Sequence, residues 1–461
     1  MKRLFSRFAA AALCVAILLS LPACGPRQEQ EDDGANGRAV VNLWLRMTES
    51  FDIAWWGRQV EQFNAQSGDY FVKVSWVDDS AWDSKILAAR ENNSAPDVVT
   101  YPISGIAQEA QYGTLLPLKD YISGLDALLE DFDPMVRDNI TDLNGNVYGI
   151  PRLLEPSMLL YYRKDILADA GWTQPPGSMA ELEQCCADVT AYLEAHPELK
   201  LSKTMQVASA NDEYAWVSWA VQAQLTGRLS PLTEDWTAAD LTGYERVAEY
   251  WADLHDFDGV APQALTSGKY KDDYAAIFEN KVAMQQCGSW IWGTLNSVED
   301  YAPLRDKVGV APWPTLSGET EGEVLCSLGG WSLAIDRGAA CPEGAGAFIE
   351  WCLLSEDSAA RLLEYFRATS FCKVSPRKSV NDLIMSEADG GTNEMRALLV
   401  NVLFPNSMME PTYPWEISQA LGNAYVAFIS GGKTAQEAIA AAGAEINGYI
   451  SQNNVAHNRF N

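Results

Sequence analysis

Tryptophan and tyrosine carry most of the chemistry this sequence offers. The chain has 16 tryptophans and 18 tyrosines in 461 residues, and many stand beside glycine, proline or a predicted strand end instead of inside a helical stripe. Trp44 and Tyr101 close predicted strands, Trp290 follows Cys287-Gly288-Ser289, Trp331 follows Gly329-Gly330, and Tyr413 and Trp415 bracket Pro414. An indole or phenol ring covers the C–H face of a pyranose while carboxylates and amides take its hydroxyls. Ligands of open α/β sheets bind beyond the C-terminal ends of the strands, so rings at such positions are expected to line a cleft. For any one ring core packing is an equal alternative; for the group, cleft lining is the better reading.

Other chemistries find less to build on. Ala427 to Thr434 fits a relaxed nucleotide-loop pattern, but it follows a long amphipathic helix where a phosphate cradle needs a strand before it and a helix after it. Gly431 and Gly432 are expected instead to end one helix, and Thr434-x-x-Glu437 to cap the next. Asp142, Asn144 and Asn146 begin like a calcium loop, yet Val147 replaces the turn glycine and Leu153 the bidentate glutamate. No Gly-x-Ser-x-Gly elbow and no His-Glu-x-x-His is present. His196, His255 and His457 are far apart and no Cys-x-x-Cys occurs, so neither a metal nor a cofactor is expected. A glycoside hydrolase needs only two carboxylates about 5 to 10 Å apart, which an acidic chain always supplies; it stands as the alternative function.

The elements that must position these rings read as α/β. Val40 to Leu45, Phe71 to Trp76 and Pro96 to Tyr101 alternate with helical stretches around Trp55 to Phe63 and Trp82 to Arg90, which implies a parallel sheet covered on both faces. Asn144-Gly145 marks a hairpin before the strand-like Val147 to Ile150, and Leu159 to Tyr162 follows as another strand. Ser178-x-x-Glu181 is a capping box. The second half is richer in helix: Tyr244, Val247, Ala248, Trp251 and Leu254 share one face, as do Ile417, Ala420, Leu421, Ala424 and Phe428. Strand-like Val308 to Ala311 and Ser332 to Ile335 lie between them, in position to join a sheet begun much earlier. That pattern describes two interleaved lobes, and the length alone favours two cores over one.

Lys2, Arg3 and Arg7 precede an apolar run of about fourteen residues, the proportions of a secretory signal. Leu21-Pro22-Ala23-Cys24-Gly25 resembles a bacterial lipobox, in which the Cys24 thiol takes up lipid, and the polar, acidic stretch to Arg38 reads as a tether. The net charge of -29 disfavours nucleic acid and anionic lipid as partners. Beyond Cys14 and Cys24 seven cysteines remain, an odd number, expected mostly as buried thiols, with a bridge among Cys326, Cys341 and Cys372 left open.

A run of markers in order resembles the extracellular solute-binding proteins of carbohydrate importers (family 1), the group that includes the maltose-binding protein. They are Val41 to Trp44, Ala95-Pro96-Asp97-Val98-Val99, Gly113-Thr114-Leu115-Leu116-Pro117-Leu118, and Asn144 to Pro151 with Leu160-Tyr161-Tyr162-Arg163-Lys164-Asp165. Ala170-Gly171-Trp172, Phe278 to Met284 leading to Gly288 and Trp290, Gly329-Gly330-Trp331, and Gly432-Lys433-Thr434 continue the series. Gly177-Ser178-Met179 and Arg163 depart from the family's usual residues.

The resemblance implies a two-lobed, type II periplasmic-binding-protein fold with each lobe a sheet flanked by helices. A signal peptide would occupy residues 1–23 and a tether 24–38. Residues 39–150 and 314–376 would form one lobe, and 151–313 and 377–461 the other, with crossings near 151–155, 311–314 and 374–380. It further implies a non-enzymatic, monomeric receptor, anchored by lipid on Cys24 at the outer face of the cytoplasmic membrane. Such a receptor closes on a sugar or oligosaccharide and passes it to an ABC-importer permease. Carried over by position, Trp290 resembles a sugar-stacking ring and Glu155 a hydroxyl-binding carboxylate. Tyr101, Trp331 and Trp415 match cleft positions, and Tyr214 and Trp216 are further candidates beside Trp44 and Tyr413.

Overall fold

Short runs of β-branched and aromatic residues, broken by glycine, proline and asparagine, set out the strands in a computed structural model that describes residues 35–46, 50–208, 211–260, 275–387 and 394–455. The N-terminal apolar run, Cys24, most of the acidic stretch and His457 lie outside the described residues. The strands are β1 (Ala39–Arg46), β2 (Tyr70–Val77), β3 (Val98–Pro102), β4 (Gly149–Pro151), β5 (Glu155–Pro156) and β6 (Leu159–Arg163). They continue as β7 (Lys203–Gln206), β8 (Val282–Cys287), β9 (Val308–Pro312), β10 (Cys326–Gly329), β11 (Trp331–Ile335) and β12 (Ser407–Met409).

Three sheets result. The first has the order β2-β1-β3-β11-β4. Its β1 runs parallel to β2 and β3, as the strand–helix alternation requires, and β11 slots antiparallel between β3 and β4. The second has the order β7-β8-β6-β9, with β6 antiparallel to β8 and β9. Between them lies a small sheet, β12-β10-β5, built from strands that connect the larger two. The chain leaves the first sheet at β4, passes through β5 and enters the second at β6; it returns from β9 through β10 to β11.

β3, β6, β9 and β11 are buried on both faces and read as nearly continuous apolar runs, whereas β1 and β2 alternate buried with more exposed residues. Val41, Leu43, Val98 and Leu333 of the first sheet share one apolar cluster with Tyr161, Val282, Val308 and Val310 of the second. The other face of the first sheet packs Val99, Tyr101 and Ala334 against Trp82 and Leu115. The other face of the second packs Leu160, Ala283 and Met284 against helices Glu245–Asp256, Trp415–Ile429 and Ala435–Asn453. The two helical stripes foreseen around Trp251 and Leu421 are buried, except that Phe428 at the end of the second is half-buried.

Local signals hold at the atomic level. Ser178 and Glu181 form a reciprocal capping box, as do Thr434 and Glu437. Helix Trp415–Ile429 ends with the Gly431 and Gly432 N–H groups donating to the carbonyls of Phe428 and Ala427. The Asp142 carboxylate accepts the N–H groups of Asn144 and Asn146 at 2.8 and 2.7 Å, and Gly145 takes a left-handed φ of 75°; the loop is a hairpin turn. Cys185, Cys186, Cys287, Cys326, Cys341, Cys352 and Cys372 are all free thiols, six of them buried, so the bridge left open among Cys326, Cys341 and Cys372 is absent. Among the described residues no helix is long and apolar enough to cross a membrane.

Candidate functional site

Two adjacent glycines shape the floor of a large cleft. Gly330 adopts a φ of 141° and passes so close to the Leu153 carbonyl that a Cβ would overlap it; a Cβ on Gly329 would run into the Glu410 carboxylate. The backbone therefore crosses from the small connecting sheet to β11 with no side chain in the way, and a cavity of about 740 Å³ opens above it. That is within the usual range for small-molecule pockets, about 300–1,000 Å³.

Its walls come from strand ends and a helix of the first sheet on one side and from three further helices on the other. On one side stand Arg46 at the C-terminal end of β1, Tyr101 near the end of β3, and Ser104, Gln108 and Tyr112 from helix Ile103–Gln111 and the residue after it. On the other stand Trp216 and Trp219 of helix Asn211–Thr226, Trp290 at the start of helix Trp290–Ser297, and Trp415 and Glu416 at the start of helix Trp415–Ile429. Trp216 and Trp290 sit 5.7 Å apart at 58°, and Trp219 and Trp415 6.3 Å apart at 83°. Across the cavity Trp331 is covered by the Arg46 guanidinium at 5.5 Å. Trp216, Trp290, Trp331 and Trp415 are half-buried, each leaving surface to the cavity.

A buried charge cluster underlies the rings. Lys373 Nζ binds Glu155 Oε1 at 2.6 Å and lies 5.5 and 5.8 Å from the rings of Phe51 and Tyr365. Behind it Arg152 donates to Asp52 at 3.1 Å, with both side chains 2 % exposed. Burial works against charge on Lys373, but Glu155, Tyr365 and Asp52 outweigh it and hold the ammonium well above its ordinary pKa. Burial likewise works against charge on Asp52, and Arg152 and Lys373 reverse it, leaving the carboxyl below its ordinary value. Among the described residues Glu410 has no such counter-ion: burial, with Glu155 adding to it, pushes its carboxyl up to about 7 against interactions with Ser104. Paired charges and half-exposed rings together can take the hydroxyls and the apolar face of a polar solute.

Seven of the residues singled out from the sequence line this cavity: Tyr101, Glu155, Trp216, Trp290, Trp331, Tyr413 and Trp415. Trp44 does not. It packs beside Val77, Trp82 and Val99, because β1 runs two residues further and presents Arg46 at the crevice instead. Tyr214 does not either. It is fully buried, its hydroxyl donating to the Ala208 carbonyl at 2.6 Å and pairing with His255 Nε2, its ring edge-on to Trp251. Two residues along a helix turn the side chain to the far face, so Trp216 and Tyr214 cannot both reach the cleft. Trp219, three residues after Trp216, was legible from that spacing. Asp52, Lys373 and Glu410 had no local signal, since distant segments bring them together.

Residues 58–392 match the model of the bacterial extracellular solute-binding protein family. A maltooligosaccharide ABC transporter solute-binding lipoprotein of Streptococcus pneumoniae is 26% identical over 186 residues, 39% of this chain and 40% of that protein. The chain thus aligns with about two fifths of that relative's length. Among solved structures, the GacH receptor of Streptomyces glaucescens, determined unliganded and with acarbose, superposes with a TM-score of 0.70 over 90% of this chain and 98% of its own, at 21% identity. The maltose/maltodextrin-binding domain MalE of Bdellovibrio bacteriovorus, bound to maltotriose, gives 0.68 over 90% and 100% at 18% identity. The fold is that of the two-lobed MalE-like binding proteins. With more than half its length matched, this chain belongs to the bacterial extracellular solute-binding protein family.

Proposed function

We propose that the chain is a lipid-anchored receptor outside the cytoplasmic membrane that captures a sugar or oligosaccharide between its lobes and delivers it to an ABC-importer permease. The observation that carries this reading is the cavity whose tryptophans face it from two sides, Trp331 from β11 of the first sheet and Trp216, Trp290 and Trp415 from helices Asn211–Thr226, Trp290–Ser297 and Trp415–Ile429. A pyranose held there stacks on the rings, while Glu155, Asp52 and Lys373 beneath them bind its hydroxyls. The solutes named for the S. pneumoniae, S. glaucescens and B. bacteriovorus proteins support a carbohydrate ligand. The lipoprotein relative supports Cys24 as the anchor.

A solute touching both lobes binds the closed form better, and shifts the opening equilibrium by that difference in affinity alone. The β5 and β10 crossings would act as the hinge, and closure would present the surface the permease reads. No bond is broken, so no catalytic residue is assigned. Titrating intrinsic tryptophan fluorescence with mono- and oligosaccharides tests the reading: a saturable change with the sugar recovered intact supports it, and cleaved sugar would transfer the case to a glycoside hydrolase.

A further inference from the structure

Helix Asn211–Thr226 carries two of the cavity rings, Trp216 and Trp219, on one side and a polar stripe on the other. From Glu213 to Ala223 every residue except Trp216 is buried, so no boundary between solvent and core sets the rotation of this helix about its axis. Directional bonds can set it instead. Tyr214, Ser218 and Gln222 recur at i, i+4 and i+8 along one face, and each bonds a neighbouring helix. Tyr214 meets His255 Nε2, the Ser218 hydroxyl accepts from Trp251 Nε1 at 2.9 Å, and Gln222 Nε2 donates to the Tyr425 hydroxyl at 3.1 Å. His255 and Trp251 belong to helix Glu245–Asp256 and Tyr425 to helix Trp415–Ile429. The chain entering the helix is held as well: the Ala208 N–H donates at 3.1 Å to Oε1 of Gln286 on β8, the strand that leads through Gly288 to Trp290.

The proton count fixes the direction of the first bond. The Ala208 carbonyl lies 2.6 Å from the Tyr214 hydroxyl and can only accept, so it takes the one phenolic proton. His255 must then donate from Nε2 and keep its lone pair on Nδ1, which is buried and has no partner among the described residues. Burial favours that neutral ring, holding its pKa below the ordinary value although the Asp256 carboxylate pulls the other way. A roll of the helix would leave the imidazole, the hydroxyl and the carbonyl buried without partners, which a network of this kind resists. On the opposite side of the same helix, Trp216 stands 5.7 Å from Trp290 and Trp219 6.3 Å from Trp415. We propose that Tyr214, Ser218 and Gln222 are positioning residues that fix the roll of this helix and so hold Trp216 and Trp219 against Trp290 and Trp415 for a stacked solute.

The inference rests on the saccharide reading of the cleft, and its test separates the two. Tyr214→Phe keeps the ring and removes the hydroxyl; Ser218→Ala removes the second bond and keeps the test readable should Tyr214→Phe fail to fold. Each should weaken maltotriose binding about fivefold by titration calorimetry, and by less than about twofold in a Trp216→Ala background, where the ring they orient is gone. Near-ultraviolet circular dichroism of the full chain reads ring geometry without sugar: each variant should diminish the band that Trp216→Ala removes. Affinity losses that persist undiminished in the Trp216→Ala background would overturn the inference, as would variants that match the unaltered protein in both affinity and spectrum. If the unaltered protein binds no maltotriose, the spectra still decide the positioning role, and only the saccharide reading loses support.

Discussion

At the scale of single residues, the site combines rings that a solute can reach with charges that it cannot easily displace. Trp290 is half-buried, and Gly288 is needed before it because a Cβ there would run into the indole. Replacing Trp290 by alanine should weaken sugar binding about tenfold, roughly 1.4 kcal/mol, measured by titration calorimetry, while thermal stability changes little. Lys373 behaves differently. At 3 % side-chain exposure, Lys373→Met leaves Glu155 buried without its partner and should cost about 3–5 kcal/mol of stability, measured by urea unfolding. The rings were legible because glycine, proline and strand ends flank them. Lys373, Asp52 and Glu410 were not: Lys373 and Asp52 meet their partners Glu155 and Arg152 from distant segments, and Glu410 reaches the cleft only through the pairing of β12 with β10, none of which leaves a spacing to read. Tyr214 shows the opposite error, a ring with an attractive neighbour in Trp216 that the helix turns into the core.

At the scale of elements, what the sequence spells out locally is what the structure keeps. The capping boxes at Ser178 and Thr434 depend on a serine or threonine and a glutamate three residues later, so Thr434→Ala should cost about 1 kcal/mol, seen as a lower unfolding midpoint. The parallel arrangement of β1, β2 and β3 follows from alternating strand and helix patterns. The connecting sheet was not legible as a sheet. Its strands β5, β10 and β12 are two to four residues long and pair residues far apart in the chain, Leu328 with Met409 and with Pro156, so neither period nor length marks them. Yet this sheet forms the cavity floor. Gly330→Ala places a Cβ against the Leu153 carbonyl at a left-handed φ and should lower stability by about 1–3 kcal/mol, with sugar affinity falling as well because the floor moves.

At the scale of the whole molecule, the crossings through β5 and β10 join two sheets that share one apolar cluster, against which the cavity rings Trp290 and Trp331 also pack. The closure proposed for the two lobes would turn about short connections of this kind. The net charge of -29 disfavours attraction to anionic lipid, so the membrane attachment proposed above rests on the lipid proposed at Cys24. The central claim is that this cleft captures a saccharide without altering it. Tryptophan fluorescence of the chain from Arg38 onward, titrated with mono- and oligosaccharides and followed by analysis of the recovered sugar, tests it most directly. The account predicts a saturable change that Trp290→Ala weakens, with the sugar intact; cleavage of the sugar, or no response to any saccharide, would contradict it.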